Sequence, residues 1–255
     1  MLKRIVFFFL LSWTIVQQFS FAASSNDKPI TSGIVSSPTS RIISPTVKPT
    51  PILIPDPVPP TPTKPQLIKF ALTFDDGPSP KYTPQILALL EKFGAHGTFF
   101  MVGTNITRYP TLPQYVTAQG NEIAAHSMTH PYPDYLSDSD LDYEITASVT
   151  LLRETSGLPV HYFRPPYGRD NYIYRKRAPE LDVKIVYWTV DPRDWSGISA
   201  DSIAEHVLVH LEPGCIVLLH DGGGNRQETV DAVEIILREA NERGYNSVTL
   251  SNLEI

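Results

Sequence analysis

The sequence predicts an α/β protein whose parallel strands close into a (β/α) barrel. Strand-like and helix-like segments alternate from Gln66 to the end of the chain, which is typical of a parallel sheet covered by helices. The polar motifs of the chain all follow apolar, strand-like segments. We expect a closed barrel rather than an open sheet, because a barrel gathers the carboxyl ends of its strands around one opening.

The individual elements follow from local composition and turn signals. Seven apolar segments are predicted to be strands: residues 67–74, 97–101, 122–125, 161–163, 184–189, 215–219 and 247–250. Five helices are predicted between them: residues 83–93, 109–119, 138–156, 200–211 and 225–243. Thr83 and Pro84 are expected to be the N-cap and the first residue of their helix. Ser137 and the acidic residues after it suit a capped first turn, and Gly244 is expected to end the last helix.

The composition narrows the class of protein. The chain has 255 residues, which is enough for one sizeable domain. Its net charge of -6 argues against nucleic acid as a partner. The single cysteine, Cys215, excludes an intramolecular disulfide, and its place in a predicted strand favours a buried core residue over a nucleophile.

The N-terminal part of the chain is predicted to lie outside the folded domain. Residues 1–22 have the pattern of a signal peptide, with Lys3 and Arg4 before a short apolar segment and small residues before the cleavage site. The apolar segment is shorter than a membrane span of roughly 20 residues, although an uncleaved N-terminal anchor is an alternative. Residues 23–65 are rich in proline, threonine and serine, which predicts an extended linker or, equally, a disordered propeptide. The domain at residues 66–255 is therefore expected outside the cytoplasm.

Two adjacent carboxylates stand at the end of the first predicted strand. Asp75 and Asp76 lie between an apolar segment and Gly77-Pro78 in the sequence TFDDGP. Neighbouring side chains of a strand point to opposite faces, so a turn at Gly77-Pro78 is expected to bring both acids into one site. Two close carboxylates repel each other, and the pKa of one rises unless a cation lies between them. The pair therefore indicates a metal or a shared proton, whereas an isolated acidic pair is more often a solvated turn.

Two histidines follow the third predicted strand. His126 and His130 are four residues apart, a spacing that places two side chains on one side of a helical turn and suits a shared metal. With one of the two aspartates they make three protein ligands and leave coordination positions open. That count is typical of a catalytic metal, most simply Zn²⁺, with Co²⁺ or Ni²⁺ as alternatives. His206 and His210 have the same spacing but lie within a predicted helix, so we expect them on a solvated or partly packed helix face.

Two polar motifs follow the fourth and fifth predicted strands. In RPPYG, two prolines stiffen the loop after Arg164, so that this residue can be a fixed bidentate partner of a carboxylate. A solvated loop arginine is the alternative. In DPRDW, Trp195 can stack on a sugar face or simply cover the core, and core cover is the commoner fate of a tryptophan. Asp191 of the same motif receives no role.

A last polar motif, LLHDG, follows the sixth predicted strand. A lone histidine after a strand usually has no special role, but His220 completes a series of polar residues at successive strand ends. Gly223 and Gly224 are expected to form a flexible loop. The motif therefore adds a titratable ring to the expected opening of the barrel.

In their order and spacing, TFDDGP, HSMTH, RPPYG, DPRDW and LLHDG resemble the motifs of the polysaccharide deacetylases. This family is also called carbohydrate esterase family four, or the NodB-homology domain, and the resemblance extends from Leu67 to the C-terminus. It implies a distorted (β/α) barrel, often with seven strands. It also implies metal-dependent removal of N-acetyl groups from N-acetylglucosamine units of a polysaccharide such as peptidoglycan or chitin.

The resemblance implies a role for each residue of the metal side of the site. Asp75 matches the catalytic base. Asp76, His126 and His130 match the metal ligands. Arg164 matches the residue that orients the base and tunes its pKa.

The remaining motifs match residues on the opposite side of the site. His220 matches the general acid, and Asp194 matches the carboxylate that tunes it. Tyr167 matches the position whose backbone N–H helps to stabilise the oxyanion. Trp195 matches an indole that lines the substrate groove, and Leu219 matches an apolar wall near the acetyl methyl group.

Two other functions remain as alternatives. An esterase of O-acetylated xylan would use the same site with a different groove. A non-catalytic glycan-binding module would keep the groove without turnover, but such a module needs neither a base nor an acid beside a metal. The predicted export and the long linker favour an envelope glycan as the partner.

Overall fold

The computed structural model describes residues 67–253 of the chain. The predicted signal peptide, residues 1–22, and the predicted linker, residues 23–65, lie outside these residues. Within residues 67–253, no helix is long and apolar enough to cross a membrane.

Seven parallel strands form one curled sheet. They are β1 (Ile68–Gly77), β2 (Gly97–Met101), β3 (Glu122–Ala125), β4 (Tyr162–Phe163), β5 (Lys184–Ile185), β6 (Ile216–His220) and β7 (Tyr245–Ser247). Their order is β5-β4-β3-β2-β1-β6, and β7 pairs with the first residues of β1. After β5 the chain returns to β6 through a single parallel bridge between Val190 and Val217. The sheet is thus a distorted (β/α) barrel, as predicted.

Seven α-helices of the described residues connect and cover the strands. They are α1 (Thr83–Lys92), α2 (Gly103–Arg108), α3 (Leu112–Ala118), α4 (Asp138–Ser156), α5 (Tyr172–Glu180), α6 (Ala200–Val209) and α7 (Gln227–Glu242). The prediction for α4 is confirmed at both ends, because the Ser137 hydroxyl accepts a hydrogen bond from the Asp140 N–H and Gly157 ends the helix in the left-handed conformation.

Two helix predictions differ from the structure. The helix predicted at residues 109–119 begins only at Leu112, as α3, and the short helix α2 before it was not predicted. Tyr109 precedes Pro110, and a residue before proline is disfavoured in helical conformation, so the chain breaks there. Helix α5 was missed, because only Tyr174 and Ala178 of its nine residues are buried and it shows no clear apolar stripe.

The expected cap of α1 is also wrong. Tyr82 is the N-cap, Thr83 is the first helical residue, and no side chain caps the helix. The Thr83 hydroxyl accepts a hydrogen bond from the Ser79 N–H (2.7 Å) and donates one to the Asp221 carboxylate. This buried hydroxyl thus connects the start of α1 to the polar motif after β6.

Three strand predictions need new boundaries. β1 continues to Gly77, so it includes the two aspartates that were expected to follow it. β5 ends at Ile185 instead of residue 189, because the chain then leaves β4 for its bridge to β6. The last strand is Tyr245–Ser247, and the predicted segment 247–250 leads into a short 3₁₀ turn at Leu250–Asn252.

The two faces of the sheet pack into different apolar clusters. The outer face, with residues such as Phe74, Phe99 and Leu219, packs against the helices. The inner face supplies a smaller cluster that includes Ala71 and Phe100. Because side chains alternate along a strand, the inner positions of β1 and β6 continue towards Asp75 and His220 at their carboxyl ends.

Candidate active site

Both aspartates of the first motif line one cavity of about 520 Å³. Adjacent strand residues normally face opposite sides, but Asp76 has a φ of 68° and the register of β1 with β2 shifts between Asp75 and Gly77. The left-handed conformation of Asp76 and the bulge turn its carboxylate towards the side of the sheet that the Asp75 carboxylate faces. We predicted that the Gly77-Pro78 turn would bring the two acids together, whereas the change of direction already occurs within β1.

Glycines allow the close approach of two loops at this point. A Cβ on Gly77 would lie in contact with the Asp221 carboxylate, and a Cβ on Gly222 would overlap the backbone carbonyl of Asp76. Gly223 also lies against the Asp76 side chain and lines the cavity. The glycine segment that was predicted to be a flexible loop therefore packs against a site residue.

Three potential metal ligands meet beside the aspartates. The Asp76 Oδ1 atom lies 3.2 Å from His130 Nε2 and 3.6 Å from His126 Nε2. The three ligand atoms all lie within 4.8 Å of one another. Among residues 67–253, this is the one group of three or more histidine, cysteine or acidic residues arranged in this way.

The state of His126 fits a divalent metal. Its Nδ1 atom lies 2.7 Å from the Arg164 carbonyl oxygen, which can only accept, so Nδ1 carries the proton and donates it. Burial lowers the pKa of His126 to about 3, so the ring is neutral and Nε2 keeps a free electron pair. A neutral imidazole oriented through its other nitrogen is the usual form of a metal-binding histidine. The donor set of one carboxylate and two imidazoles therefore suits a divalent metal ion.

The histidine loop is not the helical turn that the spacing suggested. Residues 126–130 are irregular, and both Ser127 and His130 have positive φ values. The buried Glu144 carboxylate of α4 accepts hydrogen bonds from the Met128 and Thr129 N–H groups, both at 2.8 Å, and from the Thr129 hydroxyl at 2.7 Å. Sequence reasoning missed Glu144. The sequence does offer a hint of its role, because Glu144 directly precedes Ile145 and lies with it among the buried positions of α4.

Arg164 is fully buried behind Asp75. Its guanidinium donates to Asp75 Oδ1 at 2.7 Å and to the Thr73 hydroxyl at 2.9 Å. It also donates to the backbone carbonyls of Val186 at 3.2 Å and Tyr187 at 2.9 Å. Burial raises the pKa of Asp75 above that of an ordinary aspartate, and the charge of Arg164 opposes this effect. The arginine thus holds Asp75 in one orientation.

His220 is held by a buried carboxylate. Its backbone N–H donates to Asp194 Oδ2 at 2.9 Å, and its Nδ1 lies 2.7 Å from Asp194 Oδ1. The Thr229 hydroxyl donates to the same Oδ2 at 2.8 Å. Burial alone lowers the pKa of His220, but the hydrogen bond and charge of Asp194 outweigh it and raise the pKa above its ordinary value. Nδ1 faces Asp194, so Nε2 is the ring nitrogen left to serve the cavity.

The sheet register sets the two halves of the site side by side. Asp75 of β1 is the direct partner of His220 of β6, and both line the cavity. Arg164 and Asp194 lie in the layer behind them. A carboxylate that can accept a proton and an imidazole that can donate one therefore share a pocket with the three potential metal ligands.

Leu219 does not line this pocket, contrary to prediction. It is fully buried in the cluster between the sheet and the helices. Leu218 lines the cavity instead. The reason is the alternation of side chains along β6, because Leu218 shares the face of His220 and Leu219 points to the opposite one.

Aromatic side chains form much of the remaining wall. Tyr167, Trp188 and Trp195 line the cavity together with Asp191. Trp195 is 54% exposed, so it borders the pocket and does not cover the core. Trp188 was missed, because residues 184–189 were interpreted as a buried strand.

The second histidine pair lies apart from this site. His206 is in the last turn of α6 and His210 follows the helix, and both are exposed. The His210 Nδ1 atom lies 2.8 Å from the His206 carbonyl oxygen. The prediction of a solvated helix face is confirmed.

Comparisons with known proteins agree with this arrangement. The chain matches the polysaccharide deacetylase family over residues 63–186. It is 43% identical over 185 residues to a peptidoglycan-N-acetylglucosamine deacetylase of Bacillus cereus, covering 72% of this chain and 86% of the relative. It is 34% identical over 195 residues to a chitooligosaccharide deacetylase of Bradyrhizobium sp., covering 71% of this chain and 89% of the relative.

A solved structure extends the agreement to the fold. The peptidoglycan deacetylase PdaC from Bacillus subtilis matches with a TM-score of 0.69 at 33% identity, covering 75% of this chain and 92% of PdaC. The predicted family, fold class and enzyme class are thereby confirmed. The chain belongs to the polysaccharide deacetylase family.

Proposed function

We propose that this protein removes N-acetyl groups from N-acetylglucosamine units of an extracytoplasmic polysaccharide, either peptidoglycan or a chitin-like polymer. One observation carries the proposal: Asp75 and the cluster of three potential metal ligands share a pocket with His220, whose ring is held by Asp194. This pocket offers a proton acceptor and a proton donor at neighbouring strand ends, as hydrolysis of an amide requires.

The metal site is assigned to Asp76, His126 and His130. A divalent ion bound there, most simply Zn²⁺ with Co²⁺ or Ni²⁺ as alternatives, would polarise the amide carbonyl and lower the pKa of bound water towards about 7. The neutral His126 ring and the short separations between the ligand atoms support this assignment.

Asp75 acts as the base in this proposal. It accepts a proton from the water that attacks the acetyl carbonyl, and burial makes its carboxylate a stronger base than an exposed aspartate. Arg164 keeps its oxygen atoms in place through the 2.7 Å hydrogen bond. The backbone N–H of Tyr167, at the edge of the cavity, helps to stabilise the oxyanion.

His220 acts as the acid. The amine of the sugar is a poor leaving group unless it is protonated, and a charged His220 supplies that proton. Asp194 keeps the ring protonated by raising its pKa. Leu218, which replaces Leu219 in this role, provides the apolar wall for the acetyl methyl group, and Trp195 borders the groove for the sugar.

The substrate and the location follow from the relatives and the N-terminal sequence. The relatives described above are named as deacetylases of peptidoglycan and of chitooligosaccharides. We assign residues 1–22 to a signal peptide, residues 23–65 to a linker and residues 66–255 to the catalytic domain. The protein is then secreted or held in the cell envelope, where peptidoglycan is its favoured substrate.

The test is the release of acetate from N-acetylglucosamine oligomers and from peptidoglycan by the purified full-length protein. It is run with added Zn²⁺, with added chelator, and with Asp75→Asn as the matched inactive variant. We expect release that depends on the metal and is lost in Asp75→Asn.

Other results would redirect the proposal. Release from acetylated xylan but not from N-acetyl substrates would identify an O-acetyl esterase that uses the same pocket. Glycan binding with no release from any substrate would identify a binding module.

A further inference from the structure

Three tyrosine rings lead away from the catalytic pocket. The ring of Tyr167, which lines the pocket, lies edge-on to His130 with centroids 4.8 Å apart. Tyr132 lies 5.0 Å from Tyr167, and Tyr135 lies 5.2 Å from Tyr132. We call Tyr167, Tyr132 and Tyr135 the tyrosine strip. It continues from the potential metal ligand His130 to the protein surface.

Two of the three rings in the tyrosine strip are largely exposed to solvent and are not packed into the core. Tyr135 is 86% exposed and Tyr167 is 55% exposed, whereas Tyr132 between them is half-buried. A large ring stabilises a protein when it is buried in a core, and the exposed Tyr135 gains little of that stabilisation from its surroundings. Exposed aromatic rings that adjoin a binding pocket instead suggest contact with a ligand.

The surroundings restrict Tyr132, the middle residue of the strip. Pro131 and Pro133 flank Tyr132, and their fixed φ angles limit the freedom of this loop. The Arg169 guanidinium donates to the Tyr132 hydroxyl at 2.8 Å and also lies over its ring. A rigid surface loses little conformational entropy when a ligand binds.

The charges beside the strip favour a neutral ligand. Arg169 lies 3.8 Å from the carboxylate of Asp134, so positive and negative groups are balanced next to the rings. Sugar rings suit such a surface, because their C–H faces pack on aromatic rings while their hydroxyl groups bond to tyrosine hydroxyls.

We propose that the tyrosine strip binds further sugar units of the same glycan chain whose acetylated unit occupies the catalytic pocket. This inference rests on the proposed function and assigns a binding site outside the pocket for a polymeric substrate. Its consequence is a preference for long chains over short ones, because only long chains reach Tyr132 and Tyr135. A continuous row of rings that begins at the pocket supports a glycan over an unrelated partner.

The test compares N-acetylglucosamine trimers with hexamers as substrates of the full-length protein. Tyr135→Ala is the main variant, because its ring is the most exposed and lies farthest along the strip from the pocket. Tyr132→Ala/Tyr135→Ala is the second variant. Tyr135→Phe retains the ring, and Tyr115→Ala on α3 is a matched exposed tyrosine outside the strip.

We expect Tyr135→Ala to lower kcat/KM for hexamers by about tenfold, mainly through KM, and to leave the trimer within about twofold. The double variant should lose more activity on hexamers. Tyr135→Phe should lose less activity on hexamers than Tyr135→Ala because it keeps the ring, and Tyr115→Ala should behave as the unmodified protein. Equal effects on trimers and hexamers, or no effect on either, would overturn the proposal.

A binding measurement separates this proposal from the proposed function. Asp75→Asn, with and without the Tyr132→Ala/Tyr135→Ala pair, is sedimented with insoluble peptidoglycan and with chitin. Retention that depends on the two tyrosines supports the strip even if the unmodified protein releases no acetate. A different result would overturn the proposal: the two tyrosines make no difference to retention, and the protein forms concentration-dependent dimers that the double variant does not form. It would show that the strip binds a second copy of the chain.

Discussion

At the scale of single residues, Asp194 controls the charge of His220. It accepts hydrogen bonds from both the backbone and the ring of His220, and it raises the pKa of the ring. A general acid works only while protonated, below its pKa. In Asp194→Asn the pKa of His220 should fall, so the decline of kcat/KM on the alkaline side should begin at lower pH. The loss should be greatest at neutral to alkaline pH.

The pH profile of kcat/KM checks this prediction. Thr229→Val is the matched control, because it removes one hydrogen bond from Asp194 but keeps the carboxylate charge. It should shift the alkaline side of the profile less than Asp194→Asn does. An unchanged profile in Asp194→Asn would exclude Asp194 from this role.

Glu144 holds the loop that carries the two potential histidine ligands. Three hydrogen bonds from residues 128 and 129 end on its buried carboxylate. Glu144→Gln replaces an acceptor by a donor at one of these positions, so the loop should lose its ligand geometry. We expect about 10–100-fold weaker Zn²⁺ binding, measured by competition with a chelating dye. Glu154→Gln, exposed on the same helix, should bind as the unmodified protein does, and equal affinities in both variants would contradict the prediction.

Arg164 is a buried residue that contacts the proposed base, Asp75. Its removal leaves Asp75 as a buried charge without its partner, together with two backbone carbonyls that lose their donors. We expect Arg164→Met to lower the free energy of unfolding by about 3–5 kcal/mol in urea denaturation. Arg175→Met, at an exposed ion pair, should cost less than about 1 kcal/mol. Similar losses in the two variants would show that Arg164 is not held as the structure indicates.

At the scale of elements, the alternation along β6 separates two adjacent leucines. Leu218 lines the pocket and Leu219 packs under the helices. Leu218→Ala should enlarge the pocket near the acyl group and raise the preference for N-propionyl over N-acetyl substrates by about tenfold. Leu219→Ala should keep the preference and lose about 2–5 kcal/mol of stability.

Rates on the two acyl substrates and urea denaturation of both variants check this assignment. An increased N-propionyl preference in Leu219→Ala, with none in Leu218→Ala, would reverse it. The matched chemistry of the two substitutions makes the direction of the side chain the only difference under test.

The helices and strands also show which boundaries local sequence patterns can predict. The long helix α4 was predicted with its bounds and its capped first turn, because Ser137 and the acidic residues after it lie within one turn of the helix start. The start of α3 was predicted too early, at Tyr109, although Pro110 marked a break, and α2 was not predicted. Helix α5 was missed because few of its residues are buried. The end of β5 depends on where the chain leaves β4 for the bridge between Val190 and β6, which the local sequence does not encode.

At the scale of the whole molecule, metal binding should be coupled to folding. The ligands come from β1 and from the loop after β3, so they meet only in the folded state. A metal that binds only this state adds about 4 kcal/mol at a free concentration of about 1,000 times Kd, or roughly 10 °C in Tm. Chelation should remove this gain, as measured by thermal denaturation.

The second histidine pair provides the control for that measurement. His130→Ala should show little difference between added Zn²⁺ and chelator, because one of the three ligands is lost. His210→Ala should respond to the metal as the unmodified protein does, since His210 is exposed at the end of α6. A metal response that depends on His210 instead would contradict the assigned site.

The sequence alone established the family, the barrel and most of the residues that meet in the pocket. Five short motifs at strand ends sufficed, because parallel strands of a closed sheet bring their carboxyl ends together whatever lies between them. Only the tertiary structure decided that both aspartates face one cavity and that Leu218 takes the place of Leu219. It alone revealed Glu144 beneath the histidine loop and the tyrosine strip beside the pocket. These features depend on backbone angles, strand register and contacts between distant segments, which no local pattern of residues specifies.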